Sequence, residues 1–453
     1  MRAGHITLMV LFTLLPAVPG GVNGQPDGSA GPYSLDNCLD LAYAKNPIIL
    51  RALQEIKAAG GRKLQALSEA IPHLSGEAGY TYLDRIQTYE TEMGDLPLNL
   101  HDNYNAGVTI EQNLYKGGQI LAGIKAAALY NEYAEAYFQE ALIEVTYRVK
   151  ENFYLIVLQE GIVRVRRDTV AHMEDYLEIT RKRYDQGTTS EFDLITARVR
   201  LANSRPPLIQ AENRVDILKT SLSREMGIPA GDFNITGELS YQPFQAGLDD
   251  LNRLGREHRP LLKEVLLQEQ LQEQNLRASR SGYQPSLSVF ATYQGEQPQS
   301  GLPPEDRFEF EWLAGAALKW SLFDGLMTPG KVQEANARYH QAKIDTEDAT
   351  RTVLLGIKQA YLDIRAAQKA FESQRETVEQ AEAAYRIARI RWENGISTSL
   401  ELTDAELNLS EARLMLQEAL AAHWISLAKL EQTMGMPLPE IRADVKTESK
   451  TES

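Results

Sequence analysis

Two halves of this chain carry the same punctuation at fixed spacing, and that constrains the fold more than any composition figure. Pro47 in NPIIL is answered by Pro260 in RPLL, and Pro72 in IPHLS by Pro285 in QPSLS, each 213 residues on. Further along the interval becomes 208: Gly187 to Gly395, Met226-Gly227 to Met434-Gly435, and Pro229 to Pro437. The five-residue difference falls between about Tyr82 and Tyr104. Chain-length differences collect in surface connections, so that segment is expected to be a loop. The repeating unit is far longer than a solenoid repeat. The chain is therefore expected to be a tandem duplication of one substructure.

Each half reads as a helix (about Leu35–Ala70 and Leu248–Gly282), a proline, a strand, a polar loop and a second strand. A Gly turn then leads into two long helices. The strands alternate strictly. Phe308, Phe310, Trp312, Ala316, Leu318, Trp320 and Leu322 share one face, and Glu309, Glu311, Lys319 and Ser321 the other. Tyr104, Ala106, Val108, Ile110 and Leu114 alternate in the same way with Asn105, Thr109, Glu111 and Asn113. Leu74, Ala78, Tyr80 and Tyr82, and then Leu287, Val289, Ala291 and Tyr293, follow suit. A period of two with aromatics near the strand ends suits a half-buried soluble sheet or a transmembrane barrel.

The helices are long. Gly330 to Asn394 contains no proline and one internal glycine, Gly356, which at 1.5 Å per residue is roughly 95 Å of helix. Val332, Ala335, Tyr339, Ala342, Val353 and Ile357 step by threes, fours and larger multiples, and the series continues to Tyr385, Ala388 and Trp392. That is the seam of a coiled coil. Gly118–Gln186 is its partner in the first half, and Glu191–Met226 and Ser399–Met434 are the returning helices. Arg205-Pro206-Pro207 predicts a break or kink in the first returning helix; its counterpart, Arg413-Leu414-Met415, has no proline.

Met1, Arg2 and His5 precede the apolar run ITLMVLFTLL and then PAVPGGVNG, the three regions of a secretory signal. No later run is long and apolar enough for a spanning helix. Cys38, the single cysteine, excludes an internal disulfide, and SLDNCLD around it is unlike a lipidation motif. A formal charge of −15 argues against a general nucleic-acid binder.

Catalytic patterns are missing. His5, His73, His101, His172, His258, His340 and His423 show no metal-ligand spacing. Lys116-Gly117-Gly118 reads as a strand-to-helix turn rather than a phosphate loop. Asn234-Ile-Thr is an incidental glycosylation pattern, and Glu309 and Glu311 face water. No enzyme, cofactor or metal is expected.

Two strands per half leave open sheet edges, which lipid does not tolerate. If the strands span a bilayer, several chains must close one barrel and the long helices must project from it. Export without spanning helices points to a bacterial outer membrane, with the helices in the periplasm.

On these residues the chain resembles the outer membrane efflux protein family, the TolC-like channels. SLDNCLDLAYAKNP (Ser34–Pro47), the Pro-x-Leu-Ser strand starts, the helical hairpins and the repeat all correspond, from about Tyr33 to Pro437. The resemblance implies a mainly α fold with a small β part, in which each protomer gives four strands to a trimeric twelve-stranded barrel. It implies an α-helical periplasmic tunnel, a periplasmic adaptor and an inner-membrane pump or ABC exporter as partners, and no catalysis. Expected boundaries are residues 1–24 for the signal peptide, 25–229 for the first repeat and 230–250 for an equatorial segment. Residues 251–437 form the second repeat and 438–453 a polar tail. The alternative reading is an exported coiled-coil structural or adhesive protein without channel activity.

RYDQGTTSEFDL begins at Arg183 and RWENGISTSLEL at Arg391, both where a long helix turns back. Gly187 and Gly395 suit positive φ just past a helix end. Ser190-x-x-Asp193 and Thr398-x-x-Glu401 suit capping boxes. The resemblance adds functional readings. Gly187, Thr188, Ser190, Gly395, Ile396 and Thr398 are expected to receive the adaptor, and Asp193, Glu401 and Asp404 to charge the entrance. Asp404, with Thr196 at the matching first-repeat position, is the sharpest candidate and makes the second tip the expected inner lining. The family's tyrosine and arginine latch is not matched, since Trp392 and Ser397 occupy those places. Arg389, Arg391 and Trp392 are the candidate gate residues instead.

Overall fold

The computed structural model describes residues 32–91, 94–297 and 306–441. The expected signal peptide, residues 1–24, and the KTESKTES tail lie outside them.

Four antiparallel strands make the main sheet: β1 (His73–Tyr82), β4 (Asp102–Lys116), β5 (Ser286–Gln297) and β6 (Glu309–Lys319), in the order β1-β4-β5-β6. The register sets Leu74 opposite Ile110, Ile110 opposite Ala291, and Ala291 opposite Ala314. One face is thus apolar. Its aromatics gather at both ends: Tyr80, Tyr104, Tyr293, Phe310 and Trp312 at one, Tyr115 and, just past β6, Trp320 at the other, all exposed. The opposite face carries Glu77, Asn105, Gln294, Glu296, Glu309 and Glu311 around a cavity of about 550 Å³. The segment expected to be a plain loop holds a further short pair, β2 (Thr88–Thr91) with β3 (Gly94–Pro97). TYET alternates as a strand should, and that short signal was the one available.

Each expected first helix is two helices. α1 (Leu35–Lys45) and α2 (Pro47–Ser68) part at Asn46, and α5 (Leu248–His258) and α6 (Pro260–Arg280) part at Arg259. A residue before proline is driven out of the helical region, and Asn46 and Arg259 are extended, with ψ 129° and 114°. Both breaks serve the same purpose. Buried Asn46 donates from Nδ2 to the Glu225 carbonyl at 2.7 Å. Buried Arg259 donates to the Gln432 carbonyl and, at 2.6 Å, to Glu140 Oε1. The pre-proline side chain of each half therefore satisfies a last-turn carbonyl of that half's returning helix. Asn46→Ala should cost about 1–3 kcal/mol by orphaning that carbonyl, read as a lower denaturant midpoint.

The long helices are α3 (Gln119–Asp185) and α7 (Met327–Glu393), 67 residues each, and the returning helices are α4 (Glu191–Glu225) and α8 (Ser399–Met434). α7 starts earlier than expected, because Pro329 is tolerated within a first turn. The turn Gly117-Gly118 has φ of +58° and +84°, as a strand-to-helix turn requires, and Gly325-Leu326 repeats it before α7. α4 continues through Pro206 and Pro207 without the break that was one of the two expected outcomes. Pro206 faces outward, and Leu208, Ala211 and Val215 pack on Ile162 and Val163 of α3, so packing carries the helix past the missing bonds.

Seam positions Ala335, Ala342, Val353, Ile357, Ile364 and Ala367 of α7 are buried as read. Residues 228–247 form an irregular belt, tied by a bridge between Tyr33 and Ile235 and by bonds to α8. Residues 438–441 are not tail: they form a helical turn whose Leu438 and Ile441 are buried under the belt. Cys38 is fully buried against α3, and burial raises its thiol pKa to about 11.

Packing runs α4–α3–α8–α7 in the hairpins and α2–α3–α6–α7 nearer the sheet. One flank of the chain therefore comprises β1, α2 and α4, and the other β6 and α7.

Candidate functional site

The two tips close as the sequence requires. Gly187 and Gly395 have φ of +73° and +72°. At the first tip Gly187 N–H donates to Tyr184 O at 2.9 Å and Thr188 N–H to Arg183 O at 2.9 Å. At the second, Gly395 donates to Trp392 O at 3.0 Å and Ile396 to Arg391 O at 2.8 Å. Both are Schellman motifs.

Beyond the turns the tips diverge. Ser190 Oγ accepts from Asp193 N–H at 3.2 Å, and Asp193 accepts in return from Ser190 N–H at 3.3 Å. The Ser190 hydroxyl at 2.6 Å and the Thr189 hydroxyl at 2.9 Å also donate to Asp193. These bonds, Ser190's first, hold the Asp193 carboxyl below its ordinary pKa. Asp193 is thus committed to its cap. The second capping box is only half made. Thr398 Oγ1 accepts from Glu401 N–H at 3.3 Å, but the Glu401 side chain turns to Arg391, 3.8 Å away. Asp404 is exposed, and its side chain makes no hydrogen bond or ion pair among the described residues.

The belt marks one side of α8: His423 bonds the Gln242 carbonyl at 2.9 Å and Trp424 donates to the Ser240 carbonyl at 3.2 Å. Asp404, Glu411 and Glu418, seven residues apart, are exposed. At 3.6 residues per turn they keep to one stripe, roughly opposite the belt side.

The candidate gate residues are all engaged within the chain. Trp392 is 5% exposed, packed with Tyr176 (ring centroids 5.2 Å apart), Ala197 and Leu402. The ring therefore anchors packing within its own chain. Arg389 pairs with Glu393 at 2.9 Å and Arg391 with Glu401, each inside the second hairpin.

At the tips the hairpins are joined by Arg183. Its guanidinium lies 4.4 Å over the Trp392 ring and donates to the Trp392 and Glu393 carbonyls at 2.8 and 3.0 Å. These carbonyls close the C-terminal end of α7, where a cation is favoured. Arg183 and Arg391 occupy equivalent places in the two phrases, so spacing alone gave no sign that only the first would cross over.

No group of three or more His, Cys, Asp or Glu side chains that could hold a metal occurs among the described residues, and no described helix is long and apolar enough to cross a membrane.

Comparison with known proteins accords with this architecture. The family model for the outer membrane efflux protein matches residues 38–227 and 253–436. The outer membrane protein TolC of Vibrio cholerae is 22% identical over 93% of this chain and 95% of its own length. The cobalt-zinc-cadmium resistance protein CzcC of Cupriavidus metallidurans is 20% identical over 90% of this chain and 92% of its own. The solved outer membrane protein VceC of Vibrio cholerae superposes with a TM-score of 0.75 at 19% identity, covering 89% of this chain and 96% of that one.

Proposed function

The chain belongs to the outer membrane efflux protein family, and on that premise we propose that it is a trimeric exit duct of the Gram-negative outer membrane. Through it, substrates delivered by a periplasmic adaptor and an inner-membrane pump or ABC exporter leave the cell, in efflux or in type I secretion. The observation that carries this reading is the pair of complementary flanks. In a sheet of four antiparallel strands the outermost two run in opposite directions. β6 of one copy can therefore pair antiparallel with β1 of the next, and such head-to-tail contacts close into a ring. Three copies then give twelve strands with no open edge, the apolar face to lipid and the acidic face to water.

The helices follow the same geometry. α4 exposes Phe192, Ile195 and Val199, and α7 exposes Ile387 and Ile390, at their tip ends; in the ring α4 of one copy meets α7 of the next. The duplicated halves supply two hairpins per protomer, six in the tunnel. With the belt outside, the Asp404 stripe of α8 faces the lumen. Gly187, Thr188, Ser190, Gly395, Ile396 and Thr398 lie at the extreme end, where an adaptor would dock.

The test is direct. Detergent-extracted protein should have the mass of a trimer and conduct in planar bilayers; a monomer without conductance defeats the proposal. Asp404→Asn combined with Glu401→Gln should lower cation selectivity and any divalent-ion block, because threefold symmetry removes six charges from the rim at once. An unchanged reversal potential would return both acids to structural roles.

A further inference from the structure

About 20 Å up α3 from Gly187, at 1.5 Å per residue, a second junction joins the hairpins. His172 of α3 bonds through Nδ1 to Glu406 Oε2 of α8 at 2.8 Å, and Glu406 is 4% exposed. The imidazole stacks on Tyr385 of α7, with centroids 5.1 Å apart and planes 25° apart. One turn higher, Thr169 donates to Ser410 at 3.2 Å, and Arg413 of α8 spans Asp168 of α3 at 3.6 Å and Glu382 of α7 at 2.8 Å. A titratable ring is thus wedged among three helices of two hairpins, against a carboxylate that water scarcely reaches.

We propose that the His172–Glu406 pair is a pH-graded brace between the hairpins, holding the periplasmic mouth shut more firmly in acid than in alkali. The inference rests on the channel reading above and adds regulation to it.

The charges around His172 come from every helix packed there. Glu406 on α8 and Asp168 on α3 favour the imidazolium, and Arg389 on α7 opposes it. Tyr385 has its phenol pKa raised to about 12 by burial and so stays neutral. Arg413 is occupied by Asp168 and Glu382, and Asp175 lies close enough to influence Tyr385 and Arg389. The balance, led by the Glu406 hydrogen bond, raises the imidazole pKa above its ordinary value. A group whose folded pKa is raised stabilises the fold fully below its unfolded value, and that contribution is lost as pH rises through the raised one. In alkali the ring is neutral, and Glu406 is left as a buried carboxylate without its countercharge. Separating the hairpins, which hydrates Glu406, then becomes less costly.

The full-length trimer tests this in planar bilayers and by thermal melting in detergent, from about pH 6 to about pH 9, the range spanning imidazole titration. Basal wild-type conductance should rise severalfold across that window while the melting midpoint falls. His172→Gln should flatten both profiles at the high-pH level. Glu406→Gln keeps an acceptor for Nδ1–H and should flatten them as well. Flat wild-type profiles, or a wild-type slope retained by His172→Gln, overturn the brace. Silence in the bilayer at every pH defeats the channel reading instead, and the melting slopes then decide the brace by themselves.

Discussion

Ala291→Arg should abolish assembly of the trimer, whereas Thr292→Arg, one residue along the same strand, should be tolerated. Ala291 sits mid-strand on the apolar face, between Ile110 and Ala314. In the proposed barrel that face meets lipid near the bilayer midplane, where an arginine costs about 2–4 kcal/mol per chain. Three copies raise this to about 6–12 kcal/mol, comparable to the whole stability of many domains. Thr292 points the other way, its hydroxyl 3.0 Å from that of Thr109, into a face already carrying charge. An arginine there meets water and the carboxylates of Glu77 and Glu311. The readout is the heat-modifiable trimer in the outer-membrane fraction. Equal loss from both substitutions would mean that the two faces have been assigned the wrong way round, or that the sheet does not meet lipid.

The second large effect is expected at the tips. Arg183→Ala should raise basal conductance and sensitise cells to compounds that the closed entrance excludes. It removes two charge-assisted hydrogen bonds to the end of α7 and the guanidinium stack on Trp392. Allowing for partial exposure, the loss is about 2 kcal/mol per protomer, or about thirtyfold in the balance between joined and parted hairpins. Arg391→Ala is the matched control. It breaks only a 3.8 Å pair between half-exposed side chains, a contact of about 0–1 kcal/mol. If the two variants leak equally, the hairpins are not held by Arg183.

These substitutions also separate what spacing disclosed from what it did not. The alternation of Trp312 and Ile110 against Glu311 and Thr109 separates the two faces of the sheet in the sequence alone, because strand geometry repeats every two residues. Long helices followed from the seam that ends at Trp392. The helix breaks at Asn46 and Arg259 are legible as X-Pro pairs, because a pre-proline residue resists helical ψ. At Pro206-Pro207 local propensity favours a break or kink, and packing on α3 keeps the helix continuous. Asp193 was readable as a cap, since a capping box lies within four residues. Glu401 was only half readable, because its side chain chose a partner across the turn.

By itself the sequence determined the local chemistry of this protein: which residues cap, turn, alternate and repeat. Each depends on neighbours a few residues away, and duplication preserved those neighbours in both halves. Tertiary structure alone decided how the copies differ. Arg183 and Arg391 begin the same phrase, yet one clasps the other hairpin and the other stays within its own. The reason is that the two hairpins of one chain pack side by side through α3 against α8. The end of α7 and its Trp392 turn toward Arg183, while Tyr184, the residue matching Trp392, is left exposed. A duplicated sequence is symmetric; a packed pair with an inside, an outside and a handed order is not.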